Sequence, residues 1–180
     1  TRYGVSVAPE RIVVTPGASA ALQLVLAALI DNGDRVLLSD PGYPCNRNFV
    51  HLLNGEPLAI PVGAASGYQP LPQQVSDNWT GQTRALLVAS PSNPTGTLLD
   101  EKILRDYHVI TDQNGGSLIV DEIYHGLTYD GPASTALAVS DDIFVINSFS
   151  KYFGMTGWRL GWLVAPREVV PDIDKLAQNL

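Results

Sequence analysis

Ala85-Leu-Leu-Val-Ala89 is an unbroken apolar run of strand length, and it reads as a buried strand. Similar runs recur at Arg11–Thr15, Val36–Ser39, Leu58–Val62, Ser117–Asp121, Ile143–Ile146 and Leu160–Ala165. Between them lie helical or long polar segments, so consecutive strands are joined by crossovers. That alternation implies a mostly parallel sheet covered on both faces, an α/β three-layer sandwich of about seven strands. Pro61 suits Leu58–Val62 to a sheet edge. Leu160–Ala165 follows Ile143–Ile146 after a return too short for a helical crossover, so this last strand is expected to be antiparallel.

Helical spacing is clearest at Leu22, Val25, Leu26 and Leu29, after the Pro16-Gly17 turn and before Asn32-Gly33, and again over Asp100–Asn114, with Gly115-Gly116 ending it. A short helix is expected at Gln73–Asp77, and a last one from Glu168 to Leu180. Asp40-Pro-Gly-Tyr-Pro44 reads as a rigid loop that holds Tyr43 at its tip. The 180 residues suit one domain of ordinary size, with 45% hydrophobic and 16% charged residues. A net charge of -7 disfavours nucleic acid and anionic membrane as partners. No apolar stretch has the length of a membrane span and no secretory signal opens the chain, so a cytoplasmic location is the expectation. Cys45 is the only cysteine, which excludes an intrachain disulfide, and it reads as a packed thiol. The three histidines lack metal-ligand spacing, and no dinucleotide fingerprint, Walker loop or nucleophile elbow is present.

The chemistry gathers just past the carboxyl ends of the strands, where open α/β sheets bind their ligands. Lys151 follows Ile143–Ile146 and is a candidate amine nucleophile once burial favours its neutral form. Arg159, eight residues on, offers a fixed charge for a phosphate dianion, with the Ser148 and Ser150 hydroxyls nearby. A lysine for a carbonyl and an arginine for a phosphate suggest pyridoxal phosphate. Gly17, Ala18 and Ser19 open a helix whose free amides suit the same phosphate, although Ser19 alone is more commonly a plain N-cap. Asn93 sits between two prolines beyond one strand, and Asp121 ends another as a carboxylate that needs a partner if buried. Asp121 could alternatively cap the turn that follows. Tyr124 lies three residues after it and could share its side of that turn.

The stretch Asn147–Trp162, with Lys151, Gly154, Gly157, Arg159 and Gly161, resembles the lysine motif of fold-type-I pyridoxal-phosphate enzymes, specifically the class I/II aminotransferases. Thr15-Pro-Gly-Ala-Ser19 and Asn93-Pro-Thr-Gly96 are similar to that family's phosphate-cup and asparagine signatures, and the resemblance covers almost the whole chain. It implies that Lys151 forms the internal Schiff base with pyridoxal 5'-phosphate, that Arg159 holds the phosphate and that Asp121 pairs with the pyridine nitrogen. It further implies that Tyr43 stacks on the ring and that Asn93 and Tyr124 donate to its phenolic oxygen. The implied reaction moves an amino group between an amino acid and a 2-oxo acid, in a homodimer. Residues 1–180 would then be the large cofactor-binding domain, without the family's N-terminal arm and C-terminal small domain. Little or no turnover by this chain alone is the corresponding expectation. Two other readings stay open: a beta-elimination lyase on the same motifs, and a non-catalytic effector-binding domain of a transcription regulator.

Overall fold

The computed structural model describes residues 3–129 and 131–179. Its seven strands are β1 (Ile12–Thr15), β2 (Arg35–Asp40), β3 (Glu56–Pro61), β4 (Thr83–Ala89), β5 (Ser117–Asp121), β6 (Phe144–Ser148) and β7 (Gly161–Val164). They form one sheet in the order β1-β7-β6-β5-β4-β2-β3. β6, β5, β4, β2 and β3 pair in parallel, and β7 is antiparallel to both β6 and β1. The expected antiparallel last strand and the edge position of the Pro61 strand are both present.

Helices α1 (Ala18–Leu29), α2 (Pro44–Leu52) and α5 (Val170–Ala177) cover one face, and α3 (Pro72–Asn78) and α4 (Glu101–Gln113) the other. The middle of each central strand is continuously apolar because alternate residues feed separate cores. In β4, Ala85 and Leu87 join the α1 side while Leu86 and Val88 join the α4 side. β6 repeats this with Phe144 and Ile146 against Val145.

Local chemistry sets the helix ends. α1 is alanine- and leucine-rich, starts directly after Gly17 and ends at the Ile30 cap before Gly33. α4 starts where the Asp100 carboxylate accepts from the Ile103 N–H at 2.8 Å. α2 was not expected: the segment after Tyr43 is helical, with Pro44 in its first turn, where a missing N–H costs nothing. The expected last helix is present as α5, and Leu180 lies outside the described residues. Arg11 is buried at the sheet margin, donating to the Ala165 carbonyl at 2.9 Å and pairing with Asp141.

Candidate active site

The parallel strands all deliver their carboxyl ends to one rim of the sheet, and the loops leaving that rim enclose a cavity of about 260 Å³. Its wall includes Ala18, Ser19, Tyr43, Asn93, Asp121 and Tyr124, continued by Ser150, Lys151 and Arg159. These residues leave five different elements, and only the sheet topology brings them together.

Two expected residues are not on that wall. Ser148 is 1% exposed, with Oγ 3.0 Å from the Leu160 carbonyl and 2.7 Å from Ser150 Oγ, and it accepts from the Ser150 N–H. Its hydroxyl braces the loop from beneath. Gly17 stands behind Arg159: with φ at +90°, a Cβ built there would lie 2.5 Å from Nη2 of the guanidinium. Gly161 is as tightly placed, since its Cβ would meet Gly17 C at 2.7 Å and Ala18 N at 2.9 Å. The two glycines let the start of α1 and the arginine loop approach each other closely.

Asp121 is 7% exposed, and its Oδ1 accepts from the Ile123 N–H at 3.0 Å. The other oxygen has no hydrogen-bond partner among the described residues. Burial raises this carboxyl to about 6, against the opposing pull of the Ile123 N–H and of Lys151. The capping and ligand-facing roles open to Asp121 are thus compatible, one for each oxygen. Asn93 Nδ2 donates to the Tyr124 hydroxyl at 3.3 Å, which leaves the phenolic O–H and a second amide N–H to point elsewhere. Lys151 Nζ lies 5.5 Å from the Tyr124 ring centroid and makes no hydrogen bond or ion pair among the described residues. The Lys151 side chain is exposed, so the burial invoked for it from the sequence is not supplied by the described residues.

Arg159 adopts a left-handed backbone conformation, uncommon outside glycine, with φ at 50°. Nη1 donates to the Thr156 carbonyl at 3.0 Å, and Thr156 Oγ1 donates to the Ser150 carbonyl at 2.7 Å. Thr156, Ile123, Leu22 and Ala89 complete the wall, and none of the four was expected there from the sequence. Thr156 was findable as a hydroxyl between the lysine and the arginine.

The set fits pyridoxal phosphate. A buried carboxylate with one oxygen unsatisfied suits a protonated ring nitrogen, and paired donors suit a ring oxygen. The glycine-walled cradle beside Arg159 and the first amides of α1 suit a phosphate. Over residues 1–180 the chain matches the profile of the family described as aminotransferase class I and II. It belongs to that family. Members of the family depend on pyridoxal phosphate. The chain is 42% identical over 180 residues to the valine–pyruvate aminotransferase of Mycobacterium tuberculosis, covering 99% of this chain and 46% of that protein. A crystal structure of an aminotransferase from M. tuberculosis superimposes with a TM-score of 0.94 at 41% identity, covering 99% of this chain and 46% of that one. The Thermus thermophilus aspartate aminotransferase with maleate gives 0.93 at 31% identity, covering 98% and 47%. The chain therefore spans about half the length of the class I and II relatives it matches.

Among the described residues no helix is long and apolar enough to cross a membrane, and no cluster of histidine, cysteine or acidic residues could hold a metal.

Proposed function

We propose that this chain is the large, cofactor-binding domain of a cytoplasmic, pyridoxal-phosphate-dependent aminotransferase that exchanges an amino group between an amino acid and a 2-oxo acid. The observation that carries the reading is the convergence of Lys151, Asp121, the Asn93–Tyr124 pair and Arg159 on one cavity. All three relatives described above are aminotransferases by name, which favours transamination over beta-elimination or ligand sensing.

Lys151 would be the amine to which the cofactor carbonyl attaches, and Asp121 the carboxylate that keeps the ring nitrogen protonated. Asn93 and Tyr124 would donate to the ring oxygen, and Tyr43 would form an aromatic wall. The Ala18 and Ser19 end of α1, Ser150 and Arg159 would hold the phosphate. When bound, the cofactor supplies an electron-withdrawing ring that stabilises the electron pair left on the substrate's alpha carbon. Once the substrate's amine has displaced it from the cofactor carbonyl, the freed Lys151 Nζ would be the base that moves the alpha proton. Tyr152, Phe153 and Trp158, at 47%, 48% and 75% exposure beside Lys151, are in keeping with a homodimer whose second subunit packs near the site.

The test is an absorbance titration of the chain with pyridoxal phosphate, followed by borohydride reduction and peptide mass analysis, beside Lys151→Ala. Reduced cofactor mapped to Lys151, and absent from the variant, is the expected result. Reduced cofactor on another lysine in a folded chain would overturn the assignment.

A further inference from the structure

Behind the wall of the cavity lies a group of buried titratable side chains for which the proposed reaction has no use. Strand alternation turns Asp121 to the α1 side with Ile119, and Glu122 to the α4 side with Val120. Glu122 is 1% exposed. Its Oε1 accepts from the Ala136 N–H at 2.7 Å and from Thr135 Oγ1 at 3.0 Å. Its Oε2 lies 3.3 Å from Nδ1 of His125, itself 3% exposed. The Tyr3 hydroxyl approaches the same imidazole nitrogen at 3.0 Å. The backbone of this turn is held too, with the Glu122 N–H donating to Ile146 O at 2.8 Å and the His125 N–H to Glu122 O at 2.9 Å. Because the turn follows Asp121 and contains Tyr124, whatever fixes it fixes two residues of the site.

We propose that Glu122 and His125 are a proton-sharing positioning pair: one proton between Glu122 Oε2 and His125 Nδ1 holds the turn that carries Asp121 and Tyr124 and keeps the pair uncharged overall. The role rests on the reading of Asp121 and Tyr124 given above. With the proton on Oε2 the carboxyl would donate to Nδ1; with it on Nδ1 the imidazole would donate to Oε2 and share that N–H with the Tyr3 oxygen; with Nε2 protonated in both, the summed charge is zero. Moving it between them transfers one proton and nothing else. A lone carboxylate in this position would be costly. Burial, the largest influence, raises Glu122 to about 8, the donors from Ala136 and Thr135 oppose it, and the charge of Asp121 raises it further. Among the described residues, the titratable or charged groups facing the pair include Asp121 on β5, Tyr3 on the amino-terminal segment and, across Asp121, Lys151 after β6. With Asp121 ionised toward the cavity, a second negative charge behind it is what the shared proton prevents.

The coupling is read without cofactor, by carbon and nitrogen NMR titration of the Glu122 carboxyl and His125 imidazole in the chain. The two are expected to titrate together, with His125→Gln moving the midpoint at which Glu122 loses its proton downward by about one pH unit, a tenfold change in proton affinity, because one of the two sites sharing that proton is gone. The positioning role is read as pyridoxal phosphate affinity. Glu122→Leu, which strands the Ala136 and Thr135 donors, is expected to weaken binding about tenfold. Glu122→Gln keeps an acceptor for those donors and an N–H for His125, so it should restore affinity near neutral pH. It should also lack the alkaline decline that the parent shows as the shared proton is lost, a readout that packing alone does not move. If Glu122→Leu fails to fold, Thr135→Val, which removes one of the hydrogen bonds, is expected to weaken binding about threefold. Independent titration of the two groups would overturn the pair. Parent-like binding by Glu122→Leu, or by Thr135→Val in its place, would overturn the positioning role alone. A parent chain that binds no cofactor would overturn the site reading and the positioning role together, while coupled titration would still stand.

Discussion

Folding and the ligand role proposed for Asp121 make opposite demands on its carboxyl. Its carboxyl is raised from 3.8 to about 6, so the folded chain binds that proton more tightly than the unfolded chain does. The stability it contributes is full below about 3.8 and is lost as pH rises through about 6, a difference on the order of 3 kcal/mol by neutral pH. Asp121→Asn is therefore expected to stabilise the cofactor-free chain against urea at pH 7 and to do little at pH 4, while weakening pyridoxal phosphate binding. Equal stability effects at both pH values would show that ionisation of Asp121 is not the cause. Gly17→Ala tests the neighbouring subsite. Its Cβ would stand 2.5 Å from Arg159 Nη2, the mobile end of a side chain, so the guanidinium should swing away rather than the backbone yield. The positive φ of +90° with ψ at 171°, a region essentially confined to glycine, adds a cost of roughly 1–3 kcal/mol. Affinity for pyridoxal phosphate should fall while affinity for unphosphorylated pyridoxal stays nearly constant; equal losses for both would place the phosphate elsewhere.

At the scale of elements, the junction of α1 with β7 leaves no room for a side chain. A Cβ on Gly161 would press on Gly17 C, Ala18 N and the Asn147 carbonyl, all backbone atoms and all within 2.9 Å. Gly161→Ala is expected to destabilise the chain by about 1–3 kcal/mol in urea unfolding, since none of these atoms can rotate aside. An unchanged midpoint would mean that β7 slides freely against α1. Elements buried on both sides were readable from the sequence: β4, β5 and β6 are continuous apolar runs because helices cover both faces. α2 was not, because only Asn46 and Val50 of Pro44–Leu52 are buried, which is too few to write a helical period. Pro44 is the available signal, and it suits a rigid loop as well as a first helical turn. The same distinction runs through the candidate site. Which residues reach the rim follows from strand ends, so Tyr43, Asn93, Asp121 and Lys151 could be placed by position. Which way a side chain turns is a tertiary matter, and so the inward Ser148 hydroxyl, the exposed Lys151 and the buried Glu122–His125 contact could not be read.

Taken as a whole, the molecule leaves its cavity walls to separate pieces of chain: the start of α1 and the segments following β2, β4, β5 and β6. A ligand held by all of them binds the folded state and not the unfolded one, so its affinity adds to stability by mass action. With pyridoxal phosphate at a hundredfold excess over its dissociation constant the gain is about 2.7 kcal/mol. For a domain of this length that corresponds to a rise of roughly 5–10 °C in Tm, followed by scanning calorimetry. Lys151→Ala should retain part of the rise, because the phosphate and ring contacts remain when the covalent attachment is gone. Arg159→Ala should lose more of it at the same cofactor concentration, since the charge proposed to hold the phosphate goes with it. Inorganic phosphate should give a smaller rise that Arg159→Ala removes and Lys151→Ala leaves alone. That crossed pattern separates an anion subsite at α1 from an amine subsite after β6. A rise insensitive to both substitutions would mean that the cofactor stabilises the chain from somewhere other than this rim.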